Sequence, residues 1–245
     1  MVPALLLAAG LGRRLSLPPG VPKALLELDG RTLMARTIDA LEAAGFDELV
    51  VVTGYGADSV RTAIAEGGSR MRITECWNAE YDTANNIVSF LAAERHLARG
   101  VCLLNSDIVF APSIVAEVAT LDDGNWLVVD GDEPLHAEEM KVELDTEGRV
   151  ARVSKGLDPA TSAGEYIGIL RLDAAGAATA IASARTIVAD GGRDLYYEDA
   201  VDRAAAALAA RPMWTRRRPW TEIDDEADRQ RALGVAAELD RAVQR

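Results

Sequence analysis

The chain has 245 residues, 49% of them apolar, and a formal net charge of −13 at pH 7. That length suits one α/β domain, and so acidic a chain is not expected to bind nucleic acid or an anionic membrane surface, which select a basic face. No apolar run approaches the roughly 20 residues that a membrane span requires. With two cysteines and two histidines, the composition argues against a disulfide framework, a structural zinc site and a Ser-His-Asp triad.

Strands and helices alternate in the first half of the chain. The run VPALLLAA predicts a buried strand ending at Gly10, and RTLMARTIDALEAAGF carries apolar residues at helical spacing. The same reasoning predicts the strands ELVVVTG, MRITEC and VCLLNSD, a short helix ADSVRTAIAEGG, and a helix NNIVSFLAAERHLARG that ends at Gly100. This alternation is typical of a parallel sheet covered on both faces, where ligands bind beyond the carboxyl ends of the strands. Gly10, Gly54 and Asp107 all fall at such ends.

The second half changes to the period-two alternation of antiparallel strands. It predicts the strands NWLVVDG, MKVELDTEGRVARVSKGL and GEYIGILRLD, and a turn at 146–148 makes the middle stretch a hairpin. Two alanine-rich helices are expected at about 173–189 and 199–210, then a strand at 212–217 and a final helix from about Glu226. We therefore expect an added β-hairpin lobe on the same sheet.

The loop after the first strand concentrates positive charge in an acidic protein. Gly10 and Gly12 permit a tight turn whose N–H groups approach a ligand, and Arg14 and Lys23 add cations suited to a polyphosphate. Leu15 stands where a dinucleotide fingerprint has its third glycine, and no Gly-Lys-Ser/Thr of a Walker A loop follows. The loop indicates a small anionic ligand, with a solvated surface loop as the alternative.

The stretch LLLAAGLGRRL followed by PK resembles the signature of nucleotidyltransferases that make nucleotide-activated sugars and alcohols. VVVTGY, LLNSDIVF, the hairpin MKVELDTEGRVARVSKGL with GEYIGIL, and WTEIDDEADRQRA match further segments of that family in order. The resemblance covers almost the whole chain and implies a Rossmann-like α/β fold with a mixed, mostly parallel sheet flanked by helices. It implies one nucleotidyltransferase domain over 1–245, with a nucleotide-binding core (1–130) and an acceptor-binding lobe with the C-terminal helix (131–245).

The resemblance also implies a reaction. An acceptor oxygen attacks the α-phosphorus of a nucleoside triphosphate and pyrophosphate leaves. The acceptor is already an anion near neutral pH, so no general base is required, in keeping with a chain that has almost no histidine. Charge repulsion is then the main barrier, and a divalent cation with basic side chains lowers it. By resemblance, Asp107 and Asp224 hold Mg²⁺. Arg14 and Lys23, rather than Arg13, bind the triphosphate. Lys155 approaches the acceptor phosphate.

The segment WNAEYDTANNIVSF narrows the expected substrate. It resembles cytidylyltransferases that act on phosphocholine and their relatives that act on small phosphonates such as 2-aminoethylphosphonate or phosphonoformate. The resemblance implies transfer of CMP from CTP to a small phosphonate or phosphomonoester. Two alternatives stay open: a sugar-1-phosphate nucleotidylyltransferase that uses UTP, dTTP or GTP, and a catalytically silent nucleotide-binding regulatory subunit.

The resemblance places the nucleotide against small residues of the first two strand ends and against asparagine side chains. The expected residues are Ala8, Ala9, Gly10, Gly12, Gly54, Asn78, Asn85 and Asn86. An asparagine pair at a helix start is also an ordinary cap, so that alternative remains for the last two.

The acceptor residues are left open between two chemistries. A choline-type acceptor would use aromatic rings and a carboxylate, which Tyr196-Tyr197-Glu198-Asp199 could supply, whereas a carboxylated acceptor would need further cations. The expected acceptor residues are Lys141, Glu165, Tyr197 and Glu198, with Arg149 and Arg152 as further cations for a carboxylated acceptor. We expect a cytoplasmic monomer or homodimer without nucleic-acid or membrane partners.

Overall fold

The structure, a computed structural model, describes residues 1–243 as strands, helices and the loops between them. The strands are β1 (Ala4–Ala8), β2 (Glu27–Leu28), β3 (Arg31–Thr32), β4 (Glu48–Thr53), β5 (Arg72–Trp77), β6 (Val101–Asn105), β7 (Ile108–Phe110), β8 (Trp126–Asp130), β9 (Lys141–Leu144), β10 (Val150–Ser154), β11 (Gly164–Leu172), β12 (Arg211–Trp214) and β13 (Trp220–Glu222). The α-helices are α1 (Leu33–Ala43), α2 (Ala57–Glu66), α3 (Asn86–Ala92), α4 (Pro112–Thr120), α5 (Ala174–Ala189), α6 (Tyr197–Leu208) and α7 (Glu226–Val243), and short 3₁₀ helices cover Lys23–Leu25 and Glu94–His96.

One mixed sheet organises the molecule. Its main path runs β10-β9-β11-β6-β1-β4-β5, and β8 joins it through β11 and carries β12. Strands β6, β1, β4 and β5 are mutually parallel, whereas β11 runs antiparallel to β6, β8 and β9. The predicted α/β fold, with a mixed, mostly parallel sheet and an added hairpin of β9 and β10, is confirmed. The expected division of the chain at residue 130 stays a prediction.

Helices cover both faces of this sheet, as the unbroken apolar strands require. All five residues of β1 are buried, because α3, α5 and α6 pack on one face and α1, α2 and α4 on the other. Burying a leucine side chain fully stabilises the fold by roughly 1.5–3 kcal/mol, so β1 alone contributes several kcal/mol. Because β1 is buried along its whole length, it fixes the position of the loop that begins at its carboxyl end.

Four short strands were not expected from the sequence: β2 and β3, which pair with each other, and β7 and β13, which flank the two aspartates. β7 follows directly after β6, and β13 lies within the PWTEIDD segment; the two pair antiparallel with Ile108 opposite Glu222. Helix α7 packs its buried Ala232 and Ala236 against Val109 and Ile223 of this pair. β7 lies between Asp107 and the next helix, α4, which begins at Pro112.

The helix expected to run to Gly100 is also shorter. α3 ends at Ala92, and the amide of Ala93 donates to the Phe90 and Leu91 carbonyls, which tightens the last turn before the Glu94–His96 3₁₀ helix. Cys76 and Cys102 are free and buried. Among the described residues, no helix combines the length and the apolar character needed to span a bilayer.

Candidate active site

Pairing between β7 and β13 brings together two aspartates that lie far apart in sequence. Asp107 occupies the turn between β6 and β7, and its carbonyl accepts a hydrogen bond of 2.9 Å from the amide of Ile223. Asp224 follows directly, just before α7. Carboxylate oxygens of Asp107, Glu222 and Asp224 lie within 4.8 Å of one another. The two predicted metal ligands are therefore neighbours, and a third carboxylate joins them.

Glu222 is the site residue that the sequence reasoning missed. The signal was present, because side chains two positions apart in an extended segment point to the same side, and Glu222 stands two residues before Asp224. The carboxyl opens onto solvent through the cavity but is surrounded by protein atoms. This desolvation, with the charges of Asp107 and Asp224, raises the pKa of Glu222.

Two basic side chains of the first loop meet this acidic group. The Lys23 ammonium is buried and lies 2.9 Å from Asp107 Oδ2 and 2.9 Å from Asp224 Oδ1. Arg14 Nη2 lies 2.8 Å from Asp224 Oδ2. Although desolvation opposes the charged forms, these contacts hold the pKa of Asp224 below its ordinary value and the pKa of Lys23 above it. Arg13 points elsewhere, with its guanidinium near the Asp82 carbonyl at 3.5 Å.

Gly12 explains how Lys23 reaches the carboxylates. It has φ +63°, and an added Cβ would lie 3.2 Å from Lys23 Cβ, so a side chain here would be strained and crowded against the lysine. The glycine expected to contact nucleotide thus shapes the loop that carries the lysine, and it borders a smaller neighbouring cavity rather than the main one.

The acidic group suits a hard divalent cation. Three carboxylates offer oxygen ligands, which Mg²⁺ prefers, and Asp107 Oδ1 is buried without a hydrogen-bond partner among the described residues. An unpartnered buried carboxylate oxygen costs free energy unless a ligand satisfies it. Asp107, Glu222 and Asp224 therefore fit a magnesium ion.

The acidic group opens into a cavity of about 1010 Å³ at the carboxyl ends of β1 and β6. Eleven acidic and six basic residues line it, so its wall is acidic despite the basic loop. The acidic residues are Asp107, Asp130, Asp132, Glu133, Glu138, Glu139, Glu165, Glu198, Glu222, Asp224 and Asp228, and the basic ones are Arg14, Lys23, Lys155, Arg217, Arg218 and Arg231.

The small residues at the strand ends divide between the cavity and the core. Ala9 and Gly10 line the cavity. Ala8 is buried in the core cluster on the opposite face of β1. Gly54 lies behind the wall, because an added Cβ would be 2.4 Å from Tyr81 Cβ and 2.9 Å from Ala9 Cβ. Gly54 thus permits close packing of two cavity residues and is not itself part of the lining.

The three asparagines expected at the nucleotide have different surroundings. Asn78 is buried outside the cavity lining; its amide donates to Ser89 Oγ at 3.0 Å and its oxygen accepts from the Glu80 amide at 2.9 Å. Asn85 and Asn86 both line the cavity. Asn85 also caps α3, and Asn86 Oδ1 accepts a 2.8 Å hydrogen bond from the Tyr197 amide. Cap and cavity positions thus coincide in this pair.

Lys141 does not reach the cavity as expected of an acceptor residue. Its side chain is fully buried, and the ammonium donates to the carbonyls of His136, Ala137 and Glu139. A buried ammonium needs such acceptors, so the lysine is committed to the segment that carries Glu138 and Glu139. Its contribution is to hold that part of the cavity wall in place.

Tyr197 also lies outside the cavity lining. It is buried, its hydroxyl is 2.8 Å from the Tyr166 hydroxyl, and it donates to Asn105 Oδ1 at 3.2 Å. Asp199 accepts a hydrogen bond from the Tyr196 amide and caps α6. Arg149 and Arg152, the additional cations considered for a carboxylated acceptor, are paired with Asp145 and Asp202.

Lys155, Glu165, Tyr196 and Glu198 do line the cavity. The Lys155 ammonium lies 5.6 Å from the centroid of the Tyr196 ring. Burial, reinforced by the Glu139 and Asp130 charges, raises the pKa of Glu165 to about 8. Burial likewise raises the pKa of Glu198 to about 7.

Known proteins resemble this chain in sequence. The CMP-5'-(3-aminopropyl)phosphonate synthase of Streptomyces rubellomurinus is 34% identical over 125 residues, 51% of this chain and 20% of the relative. The bifunctional IPC transferase and DIPP synthase of Rubrobacter xylanophilus is 33% identical over 160 residues, 64% of this chain and 35% of the relative. The chain thus spans 20% of the length of the first relative and 35% of the length of the second.

Solved structures resemble it in fold. The CTP:phosphocholine cytidylyltransferase of Streptococcus pneumoniae superposes with a TM-score of 0.80 at 22% identity, covering 96% of this chain and 99% of that one. The inositol-1-phosphate CTP transferase of T. maritima superposes with a TM-score of 0.79 at 22% identity, covering 98% and 96%. Since the MobA-like NTP transferase domain matches residues 4–144, more than half of the sequence, the chain belongs to that family of nucleotidyltransferases.

Proposed function

We propose that the protein is a Mg²⁺-dependent cytidylyltransferase that transfers CMP from CTP to a small phosphonate or phosphomonoester and releases pyrophosphate. The observation that carries the proposal is the convergence of Arg14 and Lys23 with three carboxylates at one end of a 1010 Å³ cavity. Relatives and structural neighbours named for CMP or CTP chemistry support the choice of nucleotide. We expect the reaction to proceed in the cytoplasm, where CTP is present.

In this proposal the chain's own residues stabilise negative charge and do not transfer protons. Among the described residues no histidine lines the cavity, and an anionic acceptor oxygen needs no general base. Mg²⁺ held by Asp107, Glu222 and Asp224 would neutralise charge on the triphosphate and the departing pyrophosphate. Lys23 and Arg14 both contact Asp224, so each would move only a short distance to bind phosphate oxygens of a triphosphate held beside that carboxylate.

Lys155 is suited to hold the acceptor's phosphonate or phosphate. Its side chain is exposed in the cavity, and of the six basic lining residues it alone forms no ion pair within residues 1–243. A lysine without an ion-pair partner is free to bind an anionic ligand. Holding the acceptor beside the triphosphate would supply the positioning on which this chemistry depends.

The test is pyrophosphate release from the purified protein with Mg²⁺, each of CTP, UTP, GTP and dTTP, and a panel of phosphonates, phosphocholine and glucose-1-phosphate. We expect release with CTP and a phosphonate or small phosphomonoester, and loss of release with a chelator. Turnover of glucose-1-phosphate with UTP or dTTP in place of CTP would establish the sugar nucleotidylyltransferase alternative. CTP binding without release from any acceptor would establish the silent regulatory subunit.

A further inference from the structure

The connection between β12 and β13 leads into the metal cluster, the three carboxylates of Asp107, Glu222 and Asp224, and its backbone is strained. Arg216 and Arg217 have φ values of +53° and +59°. Residues other than glycine rarely adopt this left-handed region, because the side chain then crowds the following carbonyl oxygen. Two such residues in succession persist only where the surrounding contacts hold them. The contacts that hold this turn therefore also bear on the position of the metal cluster.

Asp130 contacts both ends of this connection. It is the last residue of β8 and is 7% exposed. Its Oδ1 accepts hydrogen bonds from Thr215 Oγ1 at 2.9 Å and from the Asp132 amide at 3.0 Å, and its Oδ2 accepts one from the Trp220 indole N–H at 2.5 Å. Thr215 follows β12 directly and Trp220 begins β13. One buried carboxylate thus joins the end of one strand to the start of the next.

Other side chains hold the turn itself. Asp132 Oδ2 accepts a 2.7 Å hydrogen bond from the Arg217 amide, and the Arg218 guanidinium donates to the Trp214 carbonyl at 2.9 Å. These contacts explain how the left-handed residues are tolerated. Asp130 differs from them because it reaches a side chain of β13.

The Trp220 side chain bears on Glu222 through the geometry of β13. Side chains two positions apart in a strand point to the same side, and Trp220 and Glu222 both line the cavity. Trp220 lies opposite Phe110 and Glu222 opposite Ile108. A slip of one residue would turn Glu222 away from the cavity, and a strand of three residues has few backbone hydrogen bonds with which to resist it. The hydrogen bond from the indole to Asp130 supplies a further anchor for this register.

The residue type at position 130 matters because both of its oxygens accept hydrogen bonds. Within the described residues Asp130 pairs with no lysine or arginine, and a buried carboxylate without a cation is costly. An asparagine offers one accepting oxygen and one donating amide. It could satisfy Thr215 and Asp132, but it would then direct an N–H group at the Trp220 N–H. A carboxylate avoids that conflict between two donors.

Resting on the proposed function, we propose that Asp130 is a positioning residue that holds β13 through Trp220, so that Glu222 and Asp224 meet Asp107 as one magnesium site. Donors of the chain occupy both of its oxygens, so Asp130 acts through the strand and not by contact with the metal or the substrates.

The experiment compares Asp130→Asn, Trp220→Phe and the double variant, with Mn²⁺ as a probe that binds the same oxygen ligands and is counted by electron paramagnetic resonance. In Asp130→Asn the Kd of Mn²⁺ should rise about tenfold, as for residues that orient metal ligands, while CTP affinity without metal changes about twofold or less. Raising the Mg²⁺ concentration should restore most of the lost rate. Hydrogen exchange of the Ile223 amide, which donates to the Asp107 carbonyl, should become about tenfold faster.

The double variant tests the route through the indole. Trp220→Phe removes the N–H and should raise the Kd of Mn²⁺ about fivefold. The double variant should bind Mn²⁺ no more weakly than Asp130→Asn, because the asparagine amide then no longer faces a second donor. Fully additive losses would show that Asp130 does not act through Trp220.

Asp145→Asn is the matched control. Asp145 also accepts three hydrogen bonds, from the Glu147 and Arg149 amides and from the Arg149 side chain, but it lies outside the cavity lining. It should lower the midpoint of urea unfolding without changing Mn²⁺ affinity or exchange at Ile223. If circular dichroism shows Asp130→Asn to be unfolded, Trp220→Phe decides.

Unchanged Mn²⁺ affinity and unchanged exchange in the folded variant that decides would overturn the inference. An equal loss of Mn²⁺ and CTP affinity would also overturn it, because a general loss of structure would weaken both. Absence of Mn²⁺ binding by the wild type would overturn both the inference and the metal dependence of the proposed function. The expected Mn²⁺ results without pyrophosphate release from any acceptor would overturn only the proposed function.

Discussion

The two ends of the cavity differ in how far their charged side chains are paired with opposite charges of the chain. At the metal end, Lys23 and Arg14 already lie against Asp107 and Asp224, so opposite charges are paired within the chain. At the α6 end, Glu165 and Glu198 form no ion pair within the described residues, although the Lys155 ammonium lies 5.6 Å from the Tyr196 ring, and Glu198 keeps a buried oxygen unpartnered. Paired charges suit a site that exchanges partners during a reaction, whereas unpaired ones suit a site whose partner arrives with the ligand.

The two ends also differ in what holds them. The metal end is fixed by the β7–β13 pairing and by α7 packed against it. The α6 end joins a helix start to the irregular segment between β8 and β9, which Lys141 secures through three carbonyls. We therefore expect substitutions at the metal end to change the rate of the reaction and substitutions at the other end to change which acceptor is used.

The largest effect should come from the metal end. Asp107→Asn and Asp224→Asn should each lower kcat by about 10³-fold or more, because each removes a carboxylate that would hold the proposed metal ion near the reacting phosphate. Steady-state pyrophosphate release, with circular dichroism to show an intact fold, measures this. Asp225→Asn is the adjacent control, since Asp225 is exposed and asparagine can still cap α7. Near-normal turnover of either main variant would remove that residue from the site.

The first loop should show a graded response. Lys23→Ala should lower kcat/KM for CTP by about 10²-fold or more, because it removes the side chain proposed to bind the triphosphate and leaves two neighbouring carboxylates without their cation. Arg14→Ala should cost about 10-fold to 10²-fold, and Arg13→Ala, whose side chain points away, about twofold or less. Kinetics with varied CTP measure all three. If Arg13→Ala were the most damaging, the placement of this loop would be wrong by one residue.

Lys155→Ala should separate the two substrates. We expect the KM of the acceptor to rise about tenfold or more while the affinity for CTP changes little, because Lys155 stands in the cavity apart from the metal cluster. Initial rates over a grid of both substrates measure the two constants separately. An equal rise in the KM values of the acceptor and of CTP would show that Lys155 also binds the triphosphate. The difference between the two ends of the cavity would then not apply to Lys155.

The smallest expected effect is on stability. Burial raises the pKa of Glu198 to about 7 from an ordinary value near 4.5, so the folded state binds the proton more tightly than the unfolded state. Stability is therefore lost as pH rises from about 4.5 to about 7 and stays reduced above that range. Glu198→Gln should leave the free energy of unfolding little changed at pH 4 and raise it by about 1–3 kcal/mol at pH 8. Urea denaturation at both pH values tests this. An equal change in the free energy of unfolding at both pH values would show that ionisation of Glu198 does not destabilise the fold.

Much of the sheet could be predicted from the sequence because periodicity records burial on one or both faces. The loop with Arg14 and Lys23 and the turn with Asp107 could be found as well, since each follows a recognisable strand, and Asp224 was found through the family resemblance of WTEIDDEADRQRA. The β7–β13 pairing could not, because strands of three residues are too short to show a period, and Glu222 was missed with it. Lys141 was misplaced because it stands between the apolar Met140 and Val142, a pattern that predicts an outward-facing lysine, whereas backbone carbonyls of the preceding loop enclose its ammonium.

Hydrogen-bonded side chains lie between the two ends of the cavity. Asn105, two residues before Asp107, accepts from the Tyr197 hydroxyl, which also contacts the Tyr166 hydroxyl, and Tyr197 is the neighbour of Glu198. Effects of substitutions on either side should therefore not simply add. In a double-mutant cycle, Asn105→Ala and Glu198→Gln should show a coupling energy of about 0.5 kcal/mol or more. Substitutions at Glu198 alone that change the preferred acceptor should consequently also lower the reaction rate. Variants that change residues at both ends together should recover more of that rate.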